Sequence, residues 1–151
     1  MPTLVRHAAV DADPAIPSRE WHLSDAGRRA ARVLAESLPK GLLHGPALTS
    51  PEPKARETAK LLGLDATVED RLREVERPYV AGGYEQLVQR YLRGEAILGW
   101  EERDTALARV TAALEGFEGI AVTHGLAISL AAGLSFSEWR SLPFPAVVQL
   151  P

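Results

Sequence analysis

Cysteine is absent from the 151 residues, so the chain has no disulfide framework, no thiol nucleophile and no Cys-type zinc site. No uncharged apolar run approaches the roughly 18–20 residues needed to span a bilayer. Neither sign of charge dominates. Seventeen Lys and Arg against 20 Asp and Glu leave a net charge of −3. That balance argues against a general nucleic-acid or membrane-surface binder, while leaving room for a local cationic pocket. Met1-Pro2-Thr3-Leu4-Val5-Arg6-His7 has no basic segment followed by an apolar stretch, so a secretory signal is not expected. Internal repeats are missing as well. A single domain in the cytosol is the expectation. What is there is ordinary for a globular chain: 46% apolar and 25% charged residues, which exclude disorder and collagen-like structure. A chain of this length buries about 68–70% of its unfolded surface on folding, enough for a core without staples.

The pattern along the chain alternates strands and helices. Leu4-Val5 reads as a short buried strand ending at Arg6-His7, and the proline-bearing stretch from Val10 to His22 as a loop. Ser24 has the form of an N-cap with Asp25 in the first turn. Ala26, Ala30, Val33, Leu34 and Leu38 then recur at helical spacing until Pro39-Lys40-Gly41. Pro46 to Thr49 reads as a strand, and Ser50-Pro51 as the start of a helix that Gly63 closes. Ala66 to Val68 is a third strand, and Arg71 to Gly83 a surface loop. Helices are predicted over Tyr84 to Leu92 and Thr105 to Leu114, a strand over Gly119 to Thr123, and helices over Leu126 to Ala132 and Ser135 to Leu142. Ala146 to Leu150 is the last strand. This order predicts one three-layer α/β/α domain spanning 1–151, with a mostly parallel open sheet covered by helices on both faces.

In such sheets ligands bind beyond the carboxyl ends of the strands. Arg6-His7 follows the first strand and Thr123-His124-Gly125 a later one, so parallel neighbouring strands would bring both imidazoles to one edge. Thr49-Ser50 follows another strand, and the next helix carries Lys54 and Arg56 near its N-terminus, where free N–H groups suit an anion. Two imidazoles, several cations and a helix start make a site for a dianionic phosphoryl group. A metal site is the competing use of His7 and His124, with Asp11 and Asp13 as oxygen donors. The histidines lie far apart in the chain, however, and no His-Glu-x-x-His pair is present. No metal ligand or cofactor is therefore assigned. Gly-x-Ser-x-Gly, a Walker loop and Gly-x-Gly-x-x-Gly are absent too. His22 and His44 are read as surface or structural residues.

Four segments in order resemble the histidine phosphatase (phosphoglycerate mutase-like) superfamily. Leu4-Val5-Arg6-His7-Ala8 is similar to its Arg-His-Gly signature, with Ala8 in place of Gly. Leu23-Ser24-Asp25-Ala26-Gly27 is similar to its Leu-Thr/Ser-x-x-Gly helix start. Thr49-Ser50-Pro51-Glu52-Pro53-Lys54-Ala55-Arg56-Glu57-Thr58-Ala59 resembles its Ser-x-x-x-Arg-Ala-x-x-Thr-Ala segment, and Val122-Thr123-His124-Gly125 its second histidine motif. Leu72-Arg73-Glu74 resembles the Leu-x-Glu segment that supplies an acid in many members.

The resemblance implies a phosphatase acting on a small phosphorylated substrate in two covalent steps. His7 would attack phosphorus, aided by Arg6, whose like charge disfavours protonation of the ring. Arg6 and His124 would hold the phosphoryl oxygens. Glu74 would protonate the leaving oxygen and then take a proton from the attacking water, a role that needs a carboxyl carrying a proton at the outset. The motif places Lys54 at the family's Arg position, and Lys lacks the planar fork that binds phosphate bidentately. Arg56 is the other candidate. Two positions apart, the pair point about 200° apart on a helix, and Lys54 is preferred. The family's Glu-Thr/Ser and Asn pattern after the first signature is replaced by Ala9-Val10-Asp11-Ala12-Asp13. A mutase is the runner-up, disfavoured because only Arg71 to Arg103 offers material for a lid. A phosphate-ester-binding regulatory protein with little turnover is the alternative of another class. Arg19, Arg73, Arg77 and Arg90 could supply further anion contacts, with nothing in the sequence to select among them. Trp21, Tyr79, Tyr84, Tyr91 and Trp100 are read mainly as packing residues that could also stack on a substrate ring. The oligomeric state is not legible in the sequence.

Overall fold

The computed structural model describes all 151 residues. The strands are β1 (Thr3–Arg6), β2 (Ala47–Thr49), β3 (Thr67–Val68), β4 (Ile120–Thr123) and β5 (Ala146–Gln149). The helices are α1 (Asp25–Ser37), α2 (Lys40–Leu43), α3 (Pro53–Leu61), α4 (Tyr84–Leu92), α5 (Arg103–Leu114), α6 (Gly125–Ala132) and α7 (Phe136–Ser141). No helix is long and apolar enough to cross a membrane.

One sheet runs in the order β3-β2-β4-β1-β5, with parallel pairing throughout except for antiparallel β5 at the edge. β1 and β4 are buried along their whole length, as strands covered on both faces must be. Their side chains alternate between two cores. Leu4 and Ala121 pack with Val110, Ala113 and Leu114 of α5 and with Ala127 and Ile128 of α6. Val5, Ile120 and Val122 face the other way, onto Ala55 and Ala59 of α3. Helices thus cover both faces, as the alternation of elements predicts. A third cluster joins α4, α5, α6 and α7 through Val88, Tyr91, Ala106, Leu126 and Trp139, with Trp100 of the α4–α5 connection among them.

The β1–β4 register pairs Arg6 with Thr123, so His7 and His124 leave neighbouring strands at the same edge. β2 lies on the other side of β4 with Thr49 opposite Val122, which brings Ser50 to that edge too. Ser24 caps α1 by accepting from Gly27 N. A Cβ on Gly27 would meet Ala9 O at 2.1 Å, so only glycine lets α1 press against the loop leaving β1.

Two differences from the sequence expectation have a clear physical cause, and the other element ends agree within two residues. α3 starts at Pro53 with Glu52 at the N-cap, rather than at Ser50-Pro51. Ser50 N still donates to Val122 O at 2.9 Å, which extends the ladder by one residue and delays the helix. Pro53 then takes the first helical position, where the missing N–H costs nothing. The expected stop at Pro39-Lys40-Gly41 is followed at once by a single turn, α2, with Pro39 at its N-cap.

Candidate phosphoryl-binding site

His7 is buried at 6% exposure. Its Nδ1 stands 2.7 Å from Ala8 O. A carbonyl can only accept, so Nδ1 carries the hydrogen and Nε2 keeps its lone pair. Burial pushes the ring's pKa down to about 3, opposed by the Ala8 bond and helped by the charges of Lys54, Arg6 and Arg77. Sequence reasoning points to Arg6 as the cause of the unprotonated ring. Burial is the larger one, and Lys54 precedes Arg6.

Arg6 donates from Nη1 to Leu142 O at 2.8 Å, and its guanidinium lies 3.4 Å over the centre of the Phe144 ring. Burial lowers its pKa to about 10, against the attraction of Glu74, so it remains a cation at neutral pH. The Arg6 Nη2 would sit 2.9 Å from a Cβ on Gly125. The bare glycine therefore gives the guanidinium its place beside the first turn of α6.

His124, fully buried, is the N-cap of α6, with its ring centre 5.1 Å from that of His7. Its Nε2 lies 2.7 Å from Ser50 Oγ and 3.1 Å from Glu52 Oε2. Burial first, then the proximity of His7, Lys54 and Arg77, holds its pKa well below the usual imidazole value.

Lys54, on the buried side of α3, donates from Nζ to Ser18 O at 2.7 Å and lies 3.3 Å from Glu52 Oε1. Arg56 is exposed and bonds to none of these groups. The structure therefore brings Arg6, His7, Lys54 and His124 together and leaves Arg56 outside. His22 pairs with Glu57 at 2.7 Å, and His44 is exposed.

Glu74 reaches the edge of this site from the loop after β3. Its Oε1 accepts from Val75 N at 2.9 Å and Ala127 N at 3.0 Å, and its Oε2 from Leu126 N at 3.0 Å. The carboxyl thus anchors the N-terminus of α6, where free N–H groups and the helix dipole favour an anion.

Glu52 stands in the motif segment with no role assigned to it by sequence reasoning, and it proves central. It is 8% exposed, touches Lys54 and His124, and accepts from Glu74 N at 2.7 Å through Oε2. The legible signal is its position between two prolines, two residues before Lys54. Arg109 also escapes sequence reasoning. Its guanidinium donates to the carbonyls of Arg71, Arg73 and Glu74 while pairing with Glu101 at 2.7 Å.

Four buried side-chain polar atoms have no hydrogen-bond partner, and two of them, Arg6 Nε and His124 Nδ1, are in this site. An unpaired buried donor such as Arg6 Nε is costly, and a bound anion would supply the partner it lacks. No three His, Asp or Glu side chains stand close enough to share a metal ion. Beside the site opens a cavity of about 880 Å³ between residues 14–20 and 70–79, with Glu52 and Glu74 in its wall. Arg19, Arg73, Arg77 and Tyr79 line it, whereas Arg90 pairs with Glu95 elsewhere. Tyr79 meets Trp21 edge-on at 6.3 Å, and Tyr84, Tyr91 and Trp100 belong to the α4–α7 core.

A family model described as "Histidine phosphatase superfamily (branch 1)" matches residues 3–146. No curated protein matches the chain. Among solved structures, TTHB049 from Thermus thermophilus superposes with a TM-score of 0.75 at 25% identity, covering 99% of this chain and 94% of that one. A phosphoglycerate mutase from the same organism gives 0.65 at 24% identity, over 88% and 85% of the two chains. A mycobacterial glucosyl-3-phosphoglycerate phosphatase gives 0.66 at 24% identity, over 93% and 82%. The last two likenesses concern the fold.

Proposed function

The chain belongs to branch 1 of the histidine phosphatase superfamily, and we propose that within it the protein is a phosphomonoesterase working through a phosphohistidine on His7. One observation carries this reading: a buried imidazole whose Nδ1 is committed to Ala8 O, leaving an unprotonated Nε2 among Arg6, Lys54 and His124.

In the first step Nε2 forms a bond to phosphorus as the ester P–O bond breaks and its electron pair leaves with the oxygen, which takes up a proton. In the second, water attacks phosphorus, the P–N bond breaks and its pair returns to Nε2. This divides one hard displacement into two easier ones. Arg6 and Lys54 neutralise the phosphoryl oxygens, and His124 donates to them in a buried setting where such contacts are strong. Every group in this scheme is a protein side chain. The wide cavity, open beside Glu52 and Glu74, admits both a small leaving group and the hydrolytic water.

The test is hydrolysis of an aryl phosphate by EDTA-treated protein, with His7→Ala beside it and acid-labile phosphoprotein trapped by rapid quenching. Turnover that survives EDTA and disappears with His7 supports the proposal. Phosphoryl transfer to a second acceptor in place of hydrolysis would indicate a mutase. Ester binding with no turnover would indicate a regulatory protein. Dependence on added divalent metal would overturn the scheme.

A further inference from the structure

The reaction needs a group that gives a proton to the leaving oxygen, and two carboxyls border the site. Glu74, at the motif position for an acid, has both oxygens engaged by three backbone donors of Val75, Leu126 and Ala127. That is the geometry of an anchor: it ties the loop after β3 to α6 and so fixes His124, the N-cap of that helix.

Glu52 is placed differently. Oε1 lies 3.3 Å from Lys54 Nζ, and Oε2, which also accepts from Glu74 N at 2.7 Å, lies 3.1 Å from His124 Nε2, so the carboxyl touches two groups assigned to the phosphoryl oxygens. It also lines the cavity into which a leaving group would extend. We propose that Glu52 is the proton carrier of the reaction and that Glu74 is a positioning residue. The inference rests on the phosphohistidine reading and deepens it.

In the first step the Glu52 carboxyl proton passes to the leaving oxygen as the P–O bond breaks, releasing an alcohol and leaving a carboxylate. In the second, that carboxylate takes a proton from the water that attacks phosphorus, restoring the acid. Burial raises the Glu52 pKa, which Lys54 on its own helix and the backbone N–H of Glu74 oppose and the Glu74 carboxylate, by a smaller effect, reinforces. His124 faces it from the β4–α6 junction, and Arg77 adds positive charge to the surroundings of Lys54 and both histidines. A phosphoryl dianion held by Lys54 and His124 adds a like charge beside Glu52 and further favours its protonated form.

The experiment compares phenyl phosphate, whose leaving oxygen needs a proton, with 2,4-dinitrophenyl phosphate, whose leaving oxygen does not. The single-turnover rate of phenol release is measured for wild type, Glu52→Gln, Glu52→Asp and Glu74→Gln. For Glu52→Gln the expected result is a ~100-fold loss on phenyl phosphate, the scale of general acid catalysis, with less than ~10-fold loss on the dinitrophenyl ester. KM should change little, because Gln, like the protonated Glu52, carries no charge beside Lys54 and His124. Glu52→Asp should recover part of the phenyl phosphate rate. Glu74→Gln should slow both esters by the same factor. Equal losses on both esters for Glu52→Gln, or a leaving-group dependence confined to Glu74→Gln, overturns the assignment. A Glu52→Gln that does not fold, by circular dichroism, passes the decision to Glu52→Asp, whose losses must likewise be larger on phenyl phosphate. Absence of phosphohistidine in the wild type would instead sink the underlying reading.

Discussion

His7 is held by its own neighbour: Nδ1 donates to Ala8 O across 2.7 Å, which turns Nε2 toward the site with its lone pair free. A backbone carbonyl fixes this tautomer at every pH at which the fold persists. The nucleophile needs no separate base, in contrast to a hydroxyl nucleophile.

The first prediction follows from the proton affinity of that ring. In the folded chain the His7 pKa is about 3 against 6.5 in the unfolded chain, and His124 is lowered as well. Above pH 6.5 neither state takes up the proton, and stability is unaffected. As the pH falls below that value, the unfolded chain binds protons that the folded one refuses. Each ring then reduces stability by up to ~1.4 kcal/mol per pH unit until its folded pKa is reached. Urea unfolding between pH 7 and 4 should show a shallower decline for His7→Gln than for wild type. Imidazole NMR signals of His7 and His124 should stay at neutral positions over the same range. Titration of either ring near pH 6.5 would contradict the burial argument.

Arg6 and Gly125 give the second. A Cβ at Gly125 would lie 2.9 to 3.1 Å from three guanidinium atoms, and the guanidinium is already held through Nη1 by Leu142 O and by the Phe144 ring over which it lies. Gly125→Ala should cost about 1–2 kcal/mol in stability, since the obstacle is the end of a side chain. It should cost far more in activity, ~100-fold in kcat/KM, because a displaced phosphate ligand acts through geometry. Thermal unfolding and aryl phosphate kinetics on one sample separate the two effects.

The third concerns Lys54 and Arg56 of α3. Lys54→Ala should lower kcat/KM by ~100-fold or more through loss of a positive contact to the phosphoryl group. Arg56→Ala should leave kinetics within twofold and stability within ~0.5 kcal/mol, as for an exposed residue without partners. The reverse ranking would move the phosphate-binding role to Arg56.

How much is legible depends on whether the physics is local or tertiary. Ser24 capping α1, the apolar runs of β1 and β4 and the glycine closing α3 are local signals, and all appear in the structure. The meeting of His7 and His124 is inferable because parallel neighbouring strands deliver their C-terminal residues to one edge. The start of α3 departs from expectation because the Ser50–Val122 bond, a tertiary contact, outweighs the local preference of Ser50-Pro51 for a helix start. Glu52 is hidden for the same reason. In the sequence it is one acid among many, and only the packing of α3 against β4 buries it beside Lys54 and His124.

Arg109 supplies the fourth prediction. From α5 its guanidinium holds three successive parts of the loop, the carbonyls of Arg71, Arg73 and Glu74 at 2.8, 2.8 and 3.1 Å, while Glu101 balances its charge. Removing one member of a largely buried pair leaves the other uncompensated, at a typical cost of ~3–5 kcal/mol. Arg109→Met should therefore unfold at clearly lower urea, and part of that loss should return in Arg109→Met/Glu101→Met, which removes both charges. Neither variant restores the clamp on the three carbonyls. Below its unfolding transition the double variant should still bind inorganic phosphate within about threefold of wild type, because Arg6 and Lys54 are untouched. Turnover should fall, since the loop that fixes Glu74, and through it α6 and His124, is no longer tied down. Full activity in a stable double variant would show that the clamp serves the fold alone.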